Sequence, residues 1–228
     1  FMLLSVIIGC CVGSFLCLSA QRIPQGHSII SPRSHCVNCH HFLTWYELIP
    51  LLSICLQRFR CRSCHVPLPQ SYFLAELACG GIFVWFFHYA PSTDPMLLFW
   101  ILSAFLLSLM DCFYLFIDSR ILYLIWIILW SYWLLTGHFQ FTTVLILSIV
   151  SSLLIFYATD YLGSGNSLVV WCWSGQLLLV QLLYLVLIAS ALGICFMLCT
   201  HFFFQKKITK LPFLPFLSVA LLVVQHIE

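Results

Sequence analysis

The fold class this sequence predicts is an all-α polytopic membrane protein of about eight transmembrane helices, with one small metal-stapled loop domain on its cytoplasmic side. Three observations carry that expectation. The hydrophobic fraction is 63% and charged residues make up only 7%, with a mean hydropathy of +1.07, a balance foreign to soluble domains of this size. The apolar residues gather into runs close to bilayer length. The long polar stretch at 21–70 contains Cys36-x-x-Cys39 and Cys61-x-x-Cys64.

Taken in order, the apolar runs are 2–20, 72–90, 96–110, 119–135, 141–158, 167–182, 184–204 and 212–226. Each is long enough to cross hydrocarbon, or nearly so inside a bundle, where a helix satisfies its own backbone. Eight crossings result, with seven as the alternative. The ambiguous run is the one after 167, interrupted by Gly175, Gln176 and Gln181, which fits two crossings or one crossing and a re-entrant piece. The first run has no basic leader before it and is followed by Arg22, the pattern of an N-outside anchor and not of a cleaved signal peptide. Three regions are therefore expected: a first transmembrane helix at 1–20, a loop domain at 21–70 and a membrane domain at 71–228.

Basic residues set the orientation. Arg22, Arg33, Arg58, Arg60 and Arg62 lie in the 21–70 loop, Arg120 in the next inside turn, and Lys206, Lys207 and Lys210 in the last, while the loops at 91–95, 136–140 and 183 carry none. By the positive-inside rule the 21–70, 111–120, 159–167 and 205–211 segments face the cytoplasm. The net charge of +2 is too small to point to nucleic acid, and the arginines suit topology and the anionic headgroups of the lipid bilayer.

That orientation decides the cysteine chemistry. A cytosolic loop is kept reduced, so two CxxC pairs about twenty residues apart read as a thiolate zinc site and not as disulfides. Cys36, Cys39, Cys61 and Cys64 would close the coordination sphere and leave no position for water, making the zinc structural. His35, His40, His41 and His65 beside them read as surface residues, and the remaining cysteines, mostly in apolar runs, read as small buried hydrophobes.

The chain has seven acidic residues. Asp94 reads as turn chemistry and Glu47 and Glu76 as structural groups at the edges of the loop. Asp111, Asp118 and Asp160 stand where apolar helices leave the membrane at the inside face, positions at which a carboxylate is costly unless paired, hydrated or used. Asp160 suits a snorkelling, topology-marking role and Asp118 a pair with Arg120. Gly163-Ser164-Gly165-Asn166 then opens the sixth run. Two glycines allow a tight turn and close approach of a substrate strand, with the next residue near the positive end of a helix dipole.

Together these residues resemble the type IV prepilin peptidases, membrane aspartic proteases that process prepilins and the pseudopilins of secretion and competence systems. The resemblance runs through Gly13-Ser14-Phe15, Arg22 with Pro24, Ser31 to Cys39, Glu47 to Ser53, Arg60 to Cys64, Glu76 to Gly80, Asp111, Ile117-Asp118, the GxG turn and Leu211-Pro212-Phe213-Leu214-Pro215-Phe216. It implies an aspartic peptidase domain over 71–228 whose catalytic pair is Asp111 and position 166, with Gly163, Gly165 and Asp118 as neighbours. The family motif ends in Gly-x-Gly-Asp, and this chain has Asn166 there.

An aspartic dyad shares one proton between two carboxylates, and an amide cannot exchange it at neutral pH. The chain as written is therefore expected to be an impaired form, with fold and groove intact. Two origins fit Asn166: an exchange introduced to silence the dyad, favoured by the intact motifs around it, or a natural variant. Recruitment of Asp118 is disfavoured, because seven residues are about 10 Å along a continuing helix. The resemblance further implies prepilin-like substrates cut between Gly and a following, often Phe, residue, a bacterial cytoplasmic (inner) membrane location with the active site facing the cytoplasm, and methylation of the new amino terminus from S-adenosylmethionine. The rivals are a non-catalytic membrane scaffold binding pilin-like helices, which Asn166 permits, and, last, a small transporter.

Overall fold

The computed structural model describes residues 2–36, 38–44, 47, 50–51, 53, 57, 59–90, 93–157, 164–204 and 211–226. Of the residues singled out above, Arg58, Asp160, Gly163, Lys206, Lys207 and Lys210 lie outside the described residues. Among those described there are eight helices and no strands: α1 Met2–Arg22, α2 Gln70–His88, α3 Pro95–Tyr114, α4 Ser119–Thr136, α5 Phe141–Tyr157, α6 Ser164–Trp173, α7 Leu179–Phe204 and α8 Leu214–Val224. Five of them, α1, α2, α3, α4 and α7, are long and apolar enough to span a bilayer. The others are shorter, at 17 residues for α5, 10 for α6 and 11 for α8. The chain is a multi-pass helical membrane protein.

The ambiguous run after 167 resolves into the short α6 and the 26-residue α7. The break falls at 174–178 and not at the expected boundary near 183. Its cause is the polar cluster in that run. The Ser174 hydroxyl turns back to the Trp171 carbonyl at 2.7 Å. Gly175 occupies a niche in which a Cβ would sit 2.9 Å from the Trp130 Nε1 and 3.1 Å from Phe139. The Gln181 side chain accepts from the Leu178 N–H at 3.1 Å, supplying a partner for an otherwise orphaned donor at the start of α7.

Other helix starts use the same device. Asp94 accepts from the Met96 N–H at 3.0 Å at the entry to α3, and Asp118 accepts from the Arg120 N–H at 2.9 Å as the N-cap of α4. Asp118 is thus a cap bonded to the Arg120 backbone. At its other end α4 stops on Gly137, left-handed at φ 75°, a conformation cheap only for glycine.

The chain divides into two compact units, Phe1–Leu98 and Phe99–Glu228. In the first, α1 and α2 pack against each other through Gly9 and Gly13, four apart and so on one helical face, as membrane helices in close contact require. A Cβ at Gly9 would lie 2.7 Å from the Cys79 carbonyl oxygen, and one at Gly13 2.7 Å from that of Ala75. In the second unit the buried Trp100 meets Trp133 and Trp173 at ring-centroid distances of 5.1 and 6.4 Å, both edge-on as ring quadrupoles prefer. The Trp130 indole donates to the Cys172 carbonyl at 2.9 Å. These tryptophans are packing residues. α8 lies on α7, with Leu214, Leu217, Leu221 and Val224 fully buried.

The backbone contacts at Gly13 predict that Gly13→Ala lowers the stability of the purified protein by about 1–3 kcal/mol through overpacking. Gly81, where a Cβ meets nothing within 4 Å, is the control: Gly81→Ala leaves the melting temperature unchanged or raised. A thermal melt of the three proteins in one detergent decides this, and equal effects would sink the close-approach argument.

Candidate active site and metal centre

The loop domain begins with Arg22 at the end of α1, whose Nη1 donates to the carbonyl oxygens of Ser28 and Pro32 at 3.1 Å each and of Ile29 at 3.4 Å. One guanidinium thereby gathers a stretch with little apolar packing of its own. Beyond it the chain forms two knuckles of the same design, 25 positions apart. The Cys36 N–H bonds to the His41 carbonyl and the Cys61 N–H to that of Val66, at 3.0 and 2.8 Å. The His40 and His65 N–H groups return to the Cys36 and Cys61 carbonyls, each at 2.9 Å, and both histidines are left-handed, at φ 55° and 56°. The bridges His35 to Phe42 and Arg60 to Pro67 close the two hairpins.

This repeated turn aims four sulfurs at one point. The Sγ atoms of Cys36, Cys39, Cys61 and Cys64 all lie within 4.8 Å of one another and could hold a metal ion. A tetrahedron with zinc–sulfur bonds of about 2.3 Å has edges of about 3.8 Å. The Cys36–Cys64 and Cys39–Cys61 separations are 3.7 and 3.9 Å, so the donor set fits zinc in type, number and spacing. The Cys36 thiol is pulled down to about 6 by the N–H groups of Cys39 and Asn38, against the effect of burial. Cys64 is lowered too, first by the Val66 N–H. Cys39 rises to about 11, because burial and the neighbouring sulfurs outweigh the His41 N–H. Four thiols this close cannot all ionise without a cation among them. The histidines reach the knuckles through their backbone, not as ligands.

Two buried carboxylates brace the loop. The Glu47 Oε2 accepts from the Thr44 N–H at 2.8 Å and its hydroxyl at 2.7 Å. Burial raises this carboxyl, but the two Thr44 bonds outweigh it and hold the group below its ordinary value. Glu76, on α2, accepts from the Leu51 N–H at 2.7 Å, where Leu51 is left-handed at φ 60°. Both acids have the structural partners their positions suggested.

In the second unit Asp111 stands near the end of α3, 7% exposed, and its Oδ2 accepts from the Leu214 N–H at 3.0 Å. The Phe213 N–H is directed at the same carboxylate. Asn166 is half-buried in the first turn of α6. Gly165 beside it rests on the side chain of Ile117, where a Cβ would come within 2.9 Å of Cδ1. The start of α6 therefore abuts the turn that follows Asp111 and leads to Asp118. Among the described residues no hydrogen bond joins Asp111 to Asn166. Gly163 falls outside them. The contribution of α8 to Asp111 was not anticipated, although the Pro-x-x-Pro opening of the last apolar run signals a helix start.

A family model described as the Bacterial Peptidase A24 N-terminal domain matches residues 7–90, the stretch from α1 through the cysteine loop to α2. Several curated proteins named Prepilin leader peptidase/N-methyltransferase are similar. The one from Myxococcus xanthus is 51% identical over 77 residues, 34% of this chain and 23% of the relative. That from Stutzerimonas stutzeri is 30% identical over 155 residues, covering 56% and 53%. That from Pseudomonas aeruginosa is 26% identical over 265 aligned positions, covering 96% and 88%. The matched stretches thus span about a quarter and about half of the first two relatives. No solved structure matches the chain.

Two outcomes are expected for the loop. Purified protein carries about one zinc per chain by elemental analysis, and Cys36→Ser or Cys64→Ser loses it and exposes the 21–70 loop to proteolysis; full occupancy in both variants would exclude this site. The depressed Glu47 carboxyl contributes stability that is present above its unfolded value near 4.3 and is lost as pH falls through its lower folded value. Glu47→Gln should flatten the melting temperature of the loop across that acid window and cost about 1 kcal/mol above it, measured by melts between pH 3 and 7.

Proposed function

We propose that the chain is a member of the type IV prepilin peptidase family, which its similarities support, and that its site is built to remove the basic leader from prepilin-like precursors at the cytoplasmic face of a bacterial inner membrane. The observation that carries this reading is the buried Asp111, tied at 3.0 Å to the start of α8, with the Gly165-Asn166 turn packed on the loop that follows it. A buried carboxylate where a helix leaves the membrane is a functional-site candidate by default, and here its backbone partner fixes its orientation.

The reaction needs a water to attack the scissile carbonyl, one carboxylate to take its proton and a second, protonated, to donate to the carbonyl oxygen. Asp111 supplies the first group. Position 166 would supply the second, and Asn166 keeps the shape of an aspartate without the transferable proton. Gly163 and Gly165 would let the substrate strand approach, and Asp118 caps the helix after the Asp111 turn. The substrate's apolar stem stays in the bilayer, which puts its scissile bond at the depth where a helix-end carboxylate stands. The functional regions are the first helix at 1–20, a structural zinc loop at 21–70 and the aspartic peptidase domain at 71–228. The names of the relatives support methylation of the new amino terminus by S-adenosylmethionine as a second activity. Asn166 also favours a second reading, a scaffold that binds pilin-like helices without cutting them.

Incubating a prepilin-like substrate with this chain, with Asn166→Asp, and with Asn166→Asp carrying Asp111→Ala tests the proposal. Leader removal should appear only in the Asn166→Asp form, with at least about 10²- to 10⁴-fold separating it from the other two. Cutting by the Asn166 chain itself would mean another acid serves, and binding without cutting in every form would support the scaffold.

A further inference from the structure

We infer that the Pro212-Phe213-Leu214-Pro215 turn is a positioning element for Asp111, a clamp made of backbone N–H groups at the mouth of α8. The accounting of donors in this turn carries the inference. A helix start leaves several N–H groups without intrahelical partners, and they are usually met by a polar side chain at the N-cap. Here the N-cap is Phe213, which has no side-chain cap hydrogen bond to offer. Pro212 and Pro215 have no N–H at all. The Phe216 and Leu217 N–H groups turn inward to the Phe213 carbonyl, at 3.1 and 3.3 Å. The donors left are those of Phe213 and Leu214, and both are directed at Asp111, 103 positions earlier than Leu214 in the chain.

The arrangement answers two needs together. The start of α8, buried at Leu214 and Leu217, receives the anion that its dipole and orphaned donors require. The Asp111 carboxylate gains a fixed orientation from an element rigid at both ends, since each proline locks φ. The second half of the inference rests on the peptidase reading: because the clamp sets how Asp111 faces the reacting water, loosening it should lower turnover and leave substrate binding alone.

The first test needs no activity. Hydrogen exchange of this chain in detergent micelles should show the Leu214 amide protected, although first-turn amides ordinarily exchange freely. Asp111→Ala should speed its exchange by about 10- to 100-fold, the range for loss of a hydrogen bond to a charged group, while Asp111→Asn, which keeps an acceptor, should retain most of the protection. Exchange at Leu214 that ignores Asp111→Ala overturns the clamp.

The second test replaces the Leu214 amide by an ester in the Asn166→Asp form, removing one N–H without changing the side chain, and makes the same replacement at the exposed Val219 in the middle of α8. The Leu214 ester should lower kcat about tenfold or more with KM within about twofold, and the Val219 ester should leave kcat unchanged. Equal losses from both, or a loss confined to KM, overturn the positioning role. An Asn166→Asp form that cuts nothing sinks the peptidase reading instead, and the exchange experiment then decides the clamp by itself.

Discussion

A polar group left unpaired in hydrocarbon costs several kcal/mol, and only 7% of the residues of this chain are charged. Its helices satisfy their own interiors, so the problem is concentrated at their ends, where the first N–H groups have no internal partner. Asp94, Asp118 and Gln181 each take one such donor at the start of α3, α4 and α7. α8 has no polar residue at its own start and uses Asp111 from another helix. A shortage of acids in the sequence thus becomes a structural rule: a described acid seldom stands without a backbone donor. That rule ties the candidate catalytic carboxylate to the architecture, because removing it would uncover a helix end as well as a reacting group.

The loop domain adds a metal site to the same use of directional bonds. Among the described residues between α1 and α2, directional bonds recur: the Arg22 guanidinium on three carbonyls, Glu47 on Thr44, Glu76 on Leu51, and four sulfurs around one point. The two knuckles repeat the same hydrogen bonds at an offset of 25 positions, so the metal site is a pair of equivalent halves facing each other. Neither half has a use for its sulfurs without the other. The helices that anchor the loop are held just as directionally, with Gly9 and Gly13 letting backbone meet backbone.

What could be read from the sequence follows from how local each signal is. The CxxC spacing is a local pattern with one good physical solution, and the four sulfurs meet as it implied. Five of the expected apolar runs became helices long enough to span, since hydropathy over twenty residues suffices to recognise them. The run after 167 divided at 174–178, where Ser174 and Gln181 bond to nearby backbone and Gly175 packs against Trp130 and Phe139, the last a tertiary fact invisible to a hydropathy window. The partner of Asp111 was hidden for a similar reason. A backbone N–H has no identity in a sequence, so a carboxylate held by one 103 positions away leaves only an indirect trace, the prolines that remove its competitors.

This division explains why an exchange at position 166 can be silent in the fold and decisive in the chemistry. Asp111 is integrated into the architecture through α8, and altering it changes what a helix end rests on. Position 166 lies in the first turn of α6, next to Gly165, which makes the close contact with Ile117. An amide of the same shape there disturbs no described bond. Of the two groups proposed to share one proton, Asp111 takes part in a hydrogen bond between helices, and none is described for Asn166. On the peptidase reading, a chain with Asn166 would keep the surroundings of the site and lack the second transferable proton.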